Sequence, residues 1–187
     1  MKRTAADAAR TREALLAAAL LAFAEHGWRG ATFERVAERA GLTRGALHHH
    51  FRSKEALLQQ ALSWGWTRYG ERIFRVREEP ALAALLADFV ALLRDDALFR
   101  ALAASTVLVA PQALDDPAEK NAALDSWQEQ IAAMLPRSAA APREAVAGLA
   151  LVLLQGLTVT AVTRPTDLPH PTELRATLVA LSAGVLP

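Results

Sequence analysis

Cysteine is absent from the 187-residue chain, which excludes disulfide bonds, thiol chemistry and cysteine-ligated metal sites. Glycine and proline, at nine residues each, are too few for a fibrous or linker protein. Aromatic residues make up only 6% of the chain, but 52% of its residues are hydrophobic, which is too many for a disordered protein. The length and apolar content suffice for one large domain or two small ones, each with a real core.

The first residues of the chain lack the apolar stretch of a secretory signal. They read MKRTAADAARTREALL, in which charged residues recur among the alanines and leucines. We therefore expect a cytoplasmic protein.

Charge is unevenly distributed along the chain, although the formal net charge is only +1. Residues 1–54 contain ten Lys and Arg against five Asp and Glu, whereas residues 55–187 contain eleven against fifteen. A basic first third followed by an acidic remainder suggests that only the first segment meets a polyanion. The net charge of small domains varies by several units, so this asymmetry alone is a modest indication of a polyanionic partner.

The sequence pattern is helical almost throughout, because Ala, Leu, Glu and Arg dominate and no long stretch alternates between polar and apolar residues. We predict an all-α fold, with a helix-turn-helix domain of three helices at 1–54 and a helical bundle at 55–187. Proline and acidic pairs, among them Pro111 and Pro117, are expected to mark the loops of the bundle. The predicted helices are 5–25, 33–39, 44–50, 54–78, 81–94, 96–109, 117–135, 142–163 and 171–185.

Residues 32–51, TFERVAERAGLTRGALHHHF, carry the most information about function. Ala37 is small enough for two helices to cross there, Gly41 supplies the backbone freedom for a tight turn, and Leu47 returns to the core. The rest of the second helix is polar, and a helix of that width fits the major groove of DNA. Its polar positions are Thr43, Arg44, Gly45, His48 and His49.

The longer run 11–58, TREALLAAALLAFAEHGWRGATFERVAERAGLTRGALHHHFRSKEALL, resembles the DNA-binding domain of the TetR family of bacterial transcriptional repressors. Matching positions include Ala40–Gly41, Leu47, His50–Phe51 and Lys54–Glu55. The Leu-Thr-Arg-Gly-Ala run is further similar to the AcrR-like branch, whose members often repress multidrug efflux genes. The resemblance implies a dimer that binds a palindromic operator in double-stranded DNA and is released by a small, lipophilic effector.

The resemblance also implies roles for individual residues. Arg44 is predicted to contact a base edge, with a phosphate contact or a free surface charge as the alternative. Gly45 would allow close approach of the backbone, and Thr32 and Thr43 would bind phosphate at helix N-termini, where both also serve as caps. Lys54 would touch backbone phosphate, unless it is simply a solvated lysine.

His48 and His49 depart from the family, which usually has tyrosine or another aromatic residue at these positions. Imidazole also donates an N–H, and imidazolium adds a positive charge. We therefore hypothesise that DNA binding strengthens as the pH falls from about 8 to 6, around the ordinary histidine pKa of about 6.5. The alternative is that both histidines face solvent without energetic effect.

No metal or other cofactor is expected. Although His48, His49 and His50 are consecutive, helical neighbours diverge by about 100° and cannot converge on one ion. The sequence shows no phosphate-binding glycine loop and no grouping of nucleophile and base, which argues against an enzyme.

Residues 145–163, AVAGLALVLLQGLTVTAVT, form an uncharged stretch of nineteen residues. That length could span a bilayer, but Gln155, Gly156 and two threonines interrupt it and no basic cluster flanks it. We expect no membrane insertion and favour a buried helix. The family builds its homodimer interface from the last two helices, which fits 142–163 and 171–185.

Aromatic residues in the bundle are candidates for an effector site, since large rings often line cavities, although ordinary core packing is the alternative. In the resembled family the ligand lies among the middle helices. The effector-binding candidates are Trp66, Phe89, Phe99, Trp127 and Gln128.

Three other classes of function are alternatives: another mode of regulation, an enzyme, and a purely structural module. A ligand-dependent activator or a corepressor-dependent regulator would use the same fold. An enzyme or a purely structural helical module would have the same helices without binding DNA. Neither would show the steep loss of DNA affinity with rising salt that a DNA-binding dimer shows.

Overall fold

All regular structure is helical in the residues that the computed structural model describes, which are 5–75, 82–114, 118–136 and 142–182. The all-α prediction is therefore confirmed for these ranges. The helices are α1 (Ala5–Gly30), α2 (Phe33–Arg39), α3 (Arg44–His50), α4 (Lys54–Ile73), α5 (Leu82–Asp95), α6 (Ala97–Ala113), α7 (Ala118–Met134), α8 (Arg143–Thr163) and α9 (Pro171–Ser182).

Helices α2 and α3 form the predicted helix-turn-helix. Gly41 has a φ of 67°, in the left-handed region that favours glycine, and the N–H of Leu42 donates to the carbonyl of Ala37 at 2.8 Å. Ala37 is almost fully buried where the two helices meet, and Leu47 on α3 is completely buried. The spacing of these four residues thus produces the turn that it predicts.

The first helix is longer than the predicted 5–25. Gly27 interrupts its regular geometry with a φ of 65° and a ψ of −175°, as expected for a residue that ends a helical segment, and the chain then continues in a helical turn to Gly30. The break turns the chain towards α2, whose first helical residue follows Thr32.

Two predictions about the bundle were wrong. The fourth helix was predicted at 54–78 but ends at Ile73. The last residues of the predicted helices 54–78 and 171–185 lie outside the described residues. Pro111 does not end the sixth helix, because a π-helical turn at Ser105–Val109 precedes it and the helix resumes at Ala110–Ala113. Proline at the first turn of a resumed segment removes an N–H that the widened turn leaves without an ordinary helical partner.

The core runs without interruption from α1 into the bundle. Helix α1 packs against α4 and α6 as well as against α2, and α5 packs against α9. Phe23 and Phe51 lie in the same buried apolar cluster as Phe89 and Phe99. The N-terminal unit is therefore built directly onto the bundle, and the boundary between 54 and 55 remains a prediction.

Candidate nucleic-acid interface

Helix α3 has one buried and one exposed face. Leu47 is completely buried in the core with Val36, whereas the predicted recognition residues on the other face are all exposed. The helix follows directly from a tight turn and lies on the surface of a basic segment. A short, exposed, polar helix of this kind is able to enter the major groove of DNA. The exposed set is Thr43, Arg44, Gly45, His48 and His49.

Both predicted threonines cap a helix. The hydroxyl of Thr32 accepts a hydrogen bond from the backbone N–H of Arg35 at 3.4 Å, and that of Thr43 accepts one from Ala46 at 3.2 Å. Both side chains are exposed. Capping explains why these residue types occur here, and the exposed first turns also leave room for phosphate, so the phosphate contacts remain predictions.

The side chain of Arg44 is held by two neighbours in the free protein. Its Nη1 lies 2.7 Å from Oε1 of Glu34, and its Nε donates to Nε2 of His48 at 3.3 Å. The ring of His48 lies against Phe33, with 4.7 Å between the ring centroids. Arg44 and His48 therefore share one hydrogen-bonded group with the first turn of α2.

The pKa of Glu34 lies below its ordinary value. Hydrogen bonds from its own backbone N–H and from the hydroxyl of Thr32 are the main causes, and the charges of Arg44 and His48 add to them. Glu34 is thus a fixed negative charge beside the recognition helix. Glu34 is not among the residues predicted from the sequence; the signal for it is an acidic residue in the first turn of the helix that precedes a basic recognition helix.

Lys54 is engaged within the protein. Its ammonium donates to the backbone carbonyl of Trp28 and lies 4.3 Å from the centroid of the Trp28 ring. Partial burial lowers its pKa below the ordinary lysine value. Lys54 therefore joins the start of α4 to the end of α1, and the predicted phosphate contact is left as a prediction.

The aromatic effector candidates come together in the bundle. Trp66 lies edge-to-face against Phe99 and Trp127, at 5.8 and 5.4 Å between centroids, and Phe89 contacts the same two rings at 5.1 and 6.2 Å. The indole N–H of Trp66 donates to the hydroxyl of Thr106 at 3.1 Å. These four rings form one cluster, which we call the aromatic cluster.

Gln128 faces α8. Its side-chain nitrogen faces Gly148 of α8, and a β-carbon placed on that glycine would lie 3.8 Å from it. Because Trp127 and Gln128 are consecutive on α7, their side chains diverge by about 100° and serve different neighbours.

Helix α8 has two apolar faces. Ala147, Ala150 and Leu154 are buried in the chain, whereas Leu149 and Val152, both 62% exposed, point outward. By length and composition this helix could cross a membrane, with a mean hydropathy of 2.1 over its most apolar window, a property that core helices of other proteins share. A long, apolar, outward face calls for a covering partner.

Comparison with known proteins identifies the N-terminal unit. Residues 15–61 match the family described as bacterial regulatory proteins, tetR family. The transcriptional repressor BepR of Brucella suis is 45% identical over 62 residues, which is 33% of this chain and 30% of BepR. The chain therefore aligns with less than a third of this relative.

Solved structures extend the similarity over the bundle. A transcriptional regulator from Rhodococcus sp. Rha1 superposes with a TM-score of 0.73 at 26% identity, covering 92% of this chain and 96% of that one. SmeT of Stenotrophomonas maltophilia, in complex with triclosan, gives a TM-score of 0.68 at 22% identity, with 92% and 91% coverage, and supports the fold alone.

The fold and the exposed face of α3 define a helix-turn-helix domain built onto a helical bundle. Residues 15–61 match the tetR family of bacterial regulatory proteins, and over nearly the whole chain the fold is similar to that of a solved transcriptional regulator.

Proposed function

We propose that the protein is a transcriptional repressor that binds a palindromic operator as a homodimer and leaves it when a small, lipophilic effector binds the bundle. The observation that carries the proposal is the division of α3 into a buried Leu47 and an exposed polar face. This arrangement presents Arg44 and its neighbours on a rigid helix with a guanidinium suited to a guanine edge.

The similarity to named repressors supports repression over activation of transcription. BepR, a transcriptional repressor by name, shares the DNA-binding segment at 45% identity. The proposal extends that activity to this chain, and a repressor acts by occupying the operator and excluding polymerase.

The outward face of α8 supports a homodimer. Leu149, Val152, Leu153 and Val159 recur at helical spacing along one exposed side, and they are at least 40% exposed. A two-fold axis through this face would cover it with the same face of a second copy. Such symmetry also presents two recognition helices, which a palindrome requires about 34 Å apart.

The aromatic cluster supports an effector that is itself apolar. Its rings are packed edge-to-face, and Phe89, Phe99 and Trp127 are at least 93% buried. SmeT binds triclosan, a small molecule, on a similar fold. An effector here would have to separate rings that now contact one another, and it would favour a conformer of the bundle with the rings apart.

Effector and operator are coupled by differential affinity. An effector that binds the ring-separated conformer more tightly shifts the population away from the DNA-binding conformer. The size of the shift is set by the difference in effector affinity between the two conformers. Operator binding must then weaken effector binding by the same factor.

Selection from random duplexes tests the DNA-binding part directly. The purified protein is incubated with a library of random double-stranded DNA at low ionic strength, and the retained duplexes are sequenced. We expect an inverted repeat, and an affinity for it that falls steeply as KCl is raised.

Arg44→Ala is expected to weaken binding to the selected duplex by about tenfold or more, the value of one bidentate base contact. The matched control is Arg68→Ala, because Arg68 lies on the surface of α4 beside Trp64, about 21 Å along that helix from Lys54. Failure of the wild-type protein to enrich any duplex would overturn the proposal.

A further inference from the structure

Both hydrogen-bonding edges of the Arg44 guanidinium are partly occupied in the free protein. A guanidinium grips a guanine with two N–H groups side by side, either Nε with one terminal nitrogen or the two terminal nitrogens together. Here Nε donates to His48, and Nη1 lies 2.7 Å from the carboxylate of Glu34. One nitrogen of each edge is therefore already engaged.

Glu34 also cancels the charge that Arg44 would offer to phosphate. Its pKa is held below the ordinary value by hydrogen bonds to its own backbone N–H and to Thr32, so the carboxylate stays ionised at neutral pH independently of Arg44. An ionised pair has almost no net charge, and so attracts a single phosphate weakly. Guanine, in contrast, is uncharged, so the carboxylate of Glu34 does not repel it as it repels a phosphate, and its two acceptors can replace both partners of Arg44.

We propose that Glu34 is a specificity-determining residue that acts through Arg44: its negative charge keeps the guanidinium from phosphates and leaves it available to an uncharged base edge. Glu34 thereby lowers affinity for random DNA more than affinity for the operator. The inference rests on the proposed DNA-binding function and adds to it a positioning residue on the helix that precedes the recognition helix.

The placement of Glu34 suits this role. It lies in the first turn of α2, where the cap at Thr32 fixes the backbone, and its carboxylate reaches the first residue of α3 across the turn. His48, one helical turn beyond Arg44, completes the group and is itself packed on Phe33. The guanidinium is thus held between two helices whose relative position the Gly41 turn fixes.

Fluorescence anisotropy with two labelled probes tests the inference. One probe is the duplex recovered by selection, and the other is a random-sequence duplex of equal length, each titrated at several KCl concentrations. For Glu34→Gln we expect random DNA to be bound about twofold to fivefold more tightly, the range of an exposed ion pair. The slope of log affinity against log salt on random DNA should steepen by about 0.9, one additional phosphate contact.

Affinity for the selected duplex should change less than affinity for random DNA, so the ratio of the two falls. Glu38→Gln is the matched control, since Glu38 lies one turn further along α2 in a surface cleft with His26, Arg35 and Arg39. It removes the same charge from the same helix and is expected to change both affinities alike, leaving the ratio as in wild type.

The Arg44→Gln background separates a role through Arg44 from plain charge repulsion. In that background Glu34→Gln should have no more effect than Glu38→Gln, because the pair is already broken. An unchanged ratio in Glu34→Gln, or an equal effect with and without Arg44, would overturn the inference while leaving the proposed function intact. Absence of any selective DNA binding by the wild-type protein would overturn both.

Discussion

The hydroxyl of Ser105, in the π-helical turn of α6, donates a hydrogen bond to the backbone carbonyl of Leu20 in α1 at 3.3 Å. Both residues are completely buried. The next residue, Thr106, accepts from the indole of Trp66 in the aromatic cluster. The turn therefore touches the predicted effector site on one side and the first helix of the DNA-binding unit on the other, and π-helical turns often occur at functional sites.

Ser105→Ala is expected to lower the free energy of unfolding by about 1 kcal/mol, the usual net value of one buried hydrogen bond. Urea unfolding followed by circular dichroism measures it. Ser126→Ala is the control, because Ser126 is exposed on α7 and its hydroxyl accepts a hydrogen bond from Gln130 of the same helix. Equal stability of the two variants would show that the Ser105 contact contributes nothing.

Tyr69 provides a test of pH dependence, since it is the one tyrosine of the chain. Burial raises its pKa well above the ordinary value of about 10, and the hydrogen bond that it donates to Asp96 at 2.8 Å raises it further. The folded protein keeps the proton while the unfolded chain loses it, so stability falls as the pH rises above about 10.

Two measurements follow for Tyr69. The tyrosinate absorbance should appear only as the protein unfolds at alkaline pH, and Tyr69→Phe should flatten the loss of stability above pH 10. Below that pH the same variant should be about 1 kcal/mol less stable, because Asp96 loses one of the four hydrogen-bond donors that the described residues give it. Ionisation of Tyr69 near pH 10 with the fold intact would contradict the assigned cause.

Gly45→Ala should separate stability from DNA binding. A β-carbon at this position would lie 3.9 Å from the hydroxyl of Thr43, an ordinary contact, and alanine is the better helix former by about 1 kcal/mol. We expect a variant that is more stable yet binds the selected duplex more weakly, since the added methyl group stands on the exposed face of α3. Unchanged operator affinity would remove Gly45 from the DNA-binding set.

The outward face of α8 predicts the assembly of the protein. Leu149→Glu with Val152→Glu introduces two charges at positions that a second copy would bury, and should convert a dimer into monomers. Analytical ultracentrifugation gives the mass, and Thr67→Glu on the exposed side of α4 is the control. A wild-type protein that is already monomeric at micromolar concentration would contradict the dimer.

The helix-turn-helix was predictable because local rules determine it. Gly41 has the left-handed backbone that favours glycine, and Ala37 is small enough for the two helices to cross closely. Leu47 follows the glycine by six residues, which places its side chain in the core, so the sequence spacing predicts the geometry. The threonine caps are equally local, since each accepts a hydrogen bond from a residue three positions later.

Contacts between distant segments were not predictable. The π-helical turn depends on packing between Ser105 and Leu20, which are 85 residues apart, and the engagement of Lys54 depends on the position of Trp28. Helical periodicity gives the buried face of each helix but not its neighbours, so neither the mutual contacts of the aromatic rings nor the position of Gln128 beside Gly148 could be predicted.

The histidine hypothesis gains a physical mechanism from the geometry of His48. Its Nε2 accepts from Arg44 only while unprotonated, and the groups that face it are Glu34, Arg44 and the ring of Phe33, with His49 next along the helix. Protonation removes the acceptor, releases one edge of the Arg44 guanidinium and adds a positive charge to the DNA-binding face. Each of these changes favours DNA, so affinity for the selected duplex should rise as the pH is lowered. The control is a His48→Tyr, His49→Tyr variant, which restores the family's residue type and should lose most of the pH dependence. An equal pH dependence in variant and wild type would assign the effect to other groups.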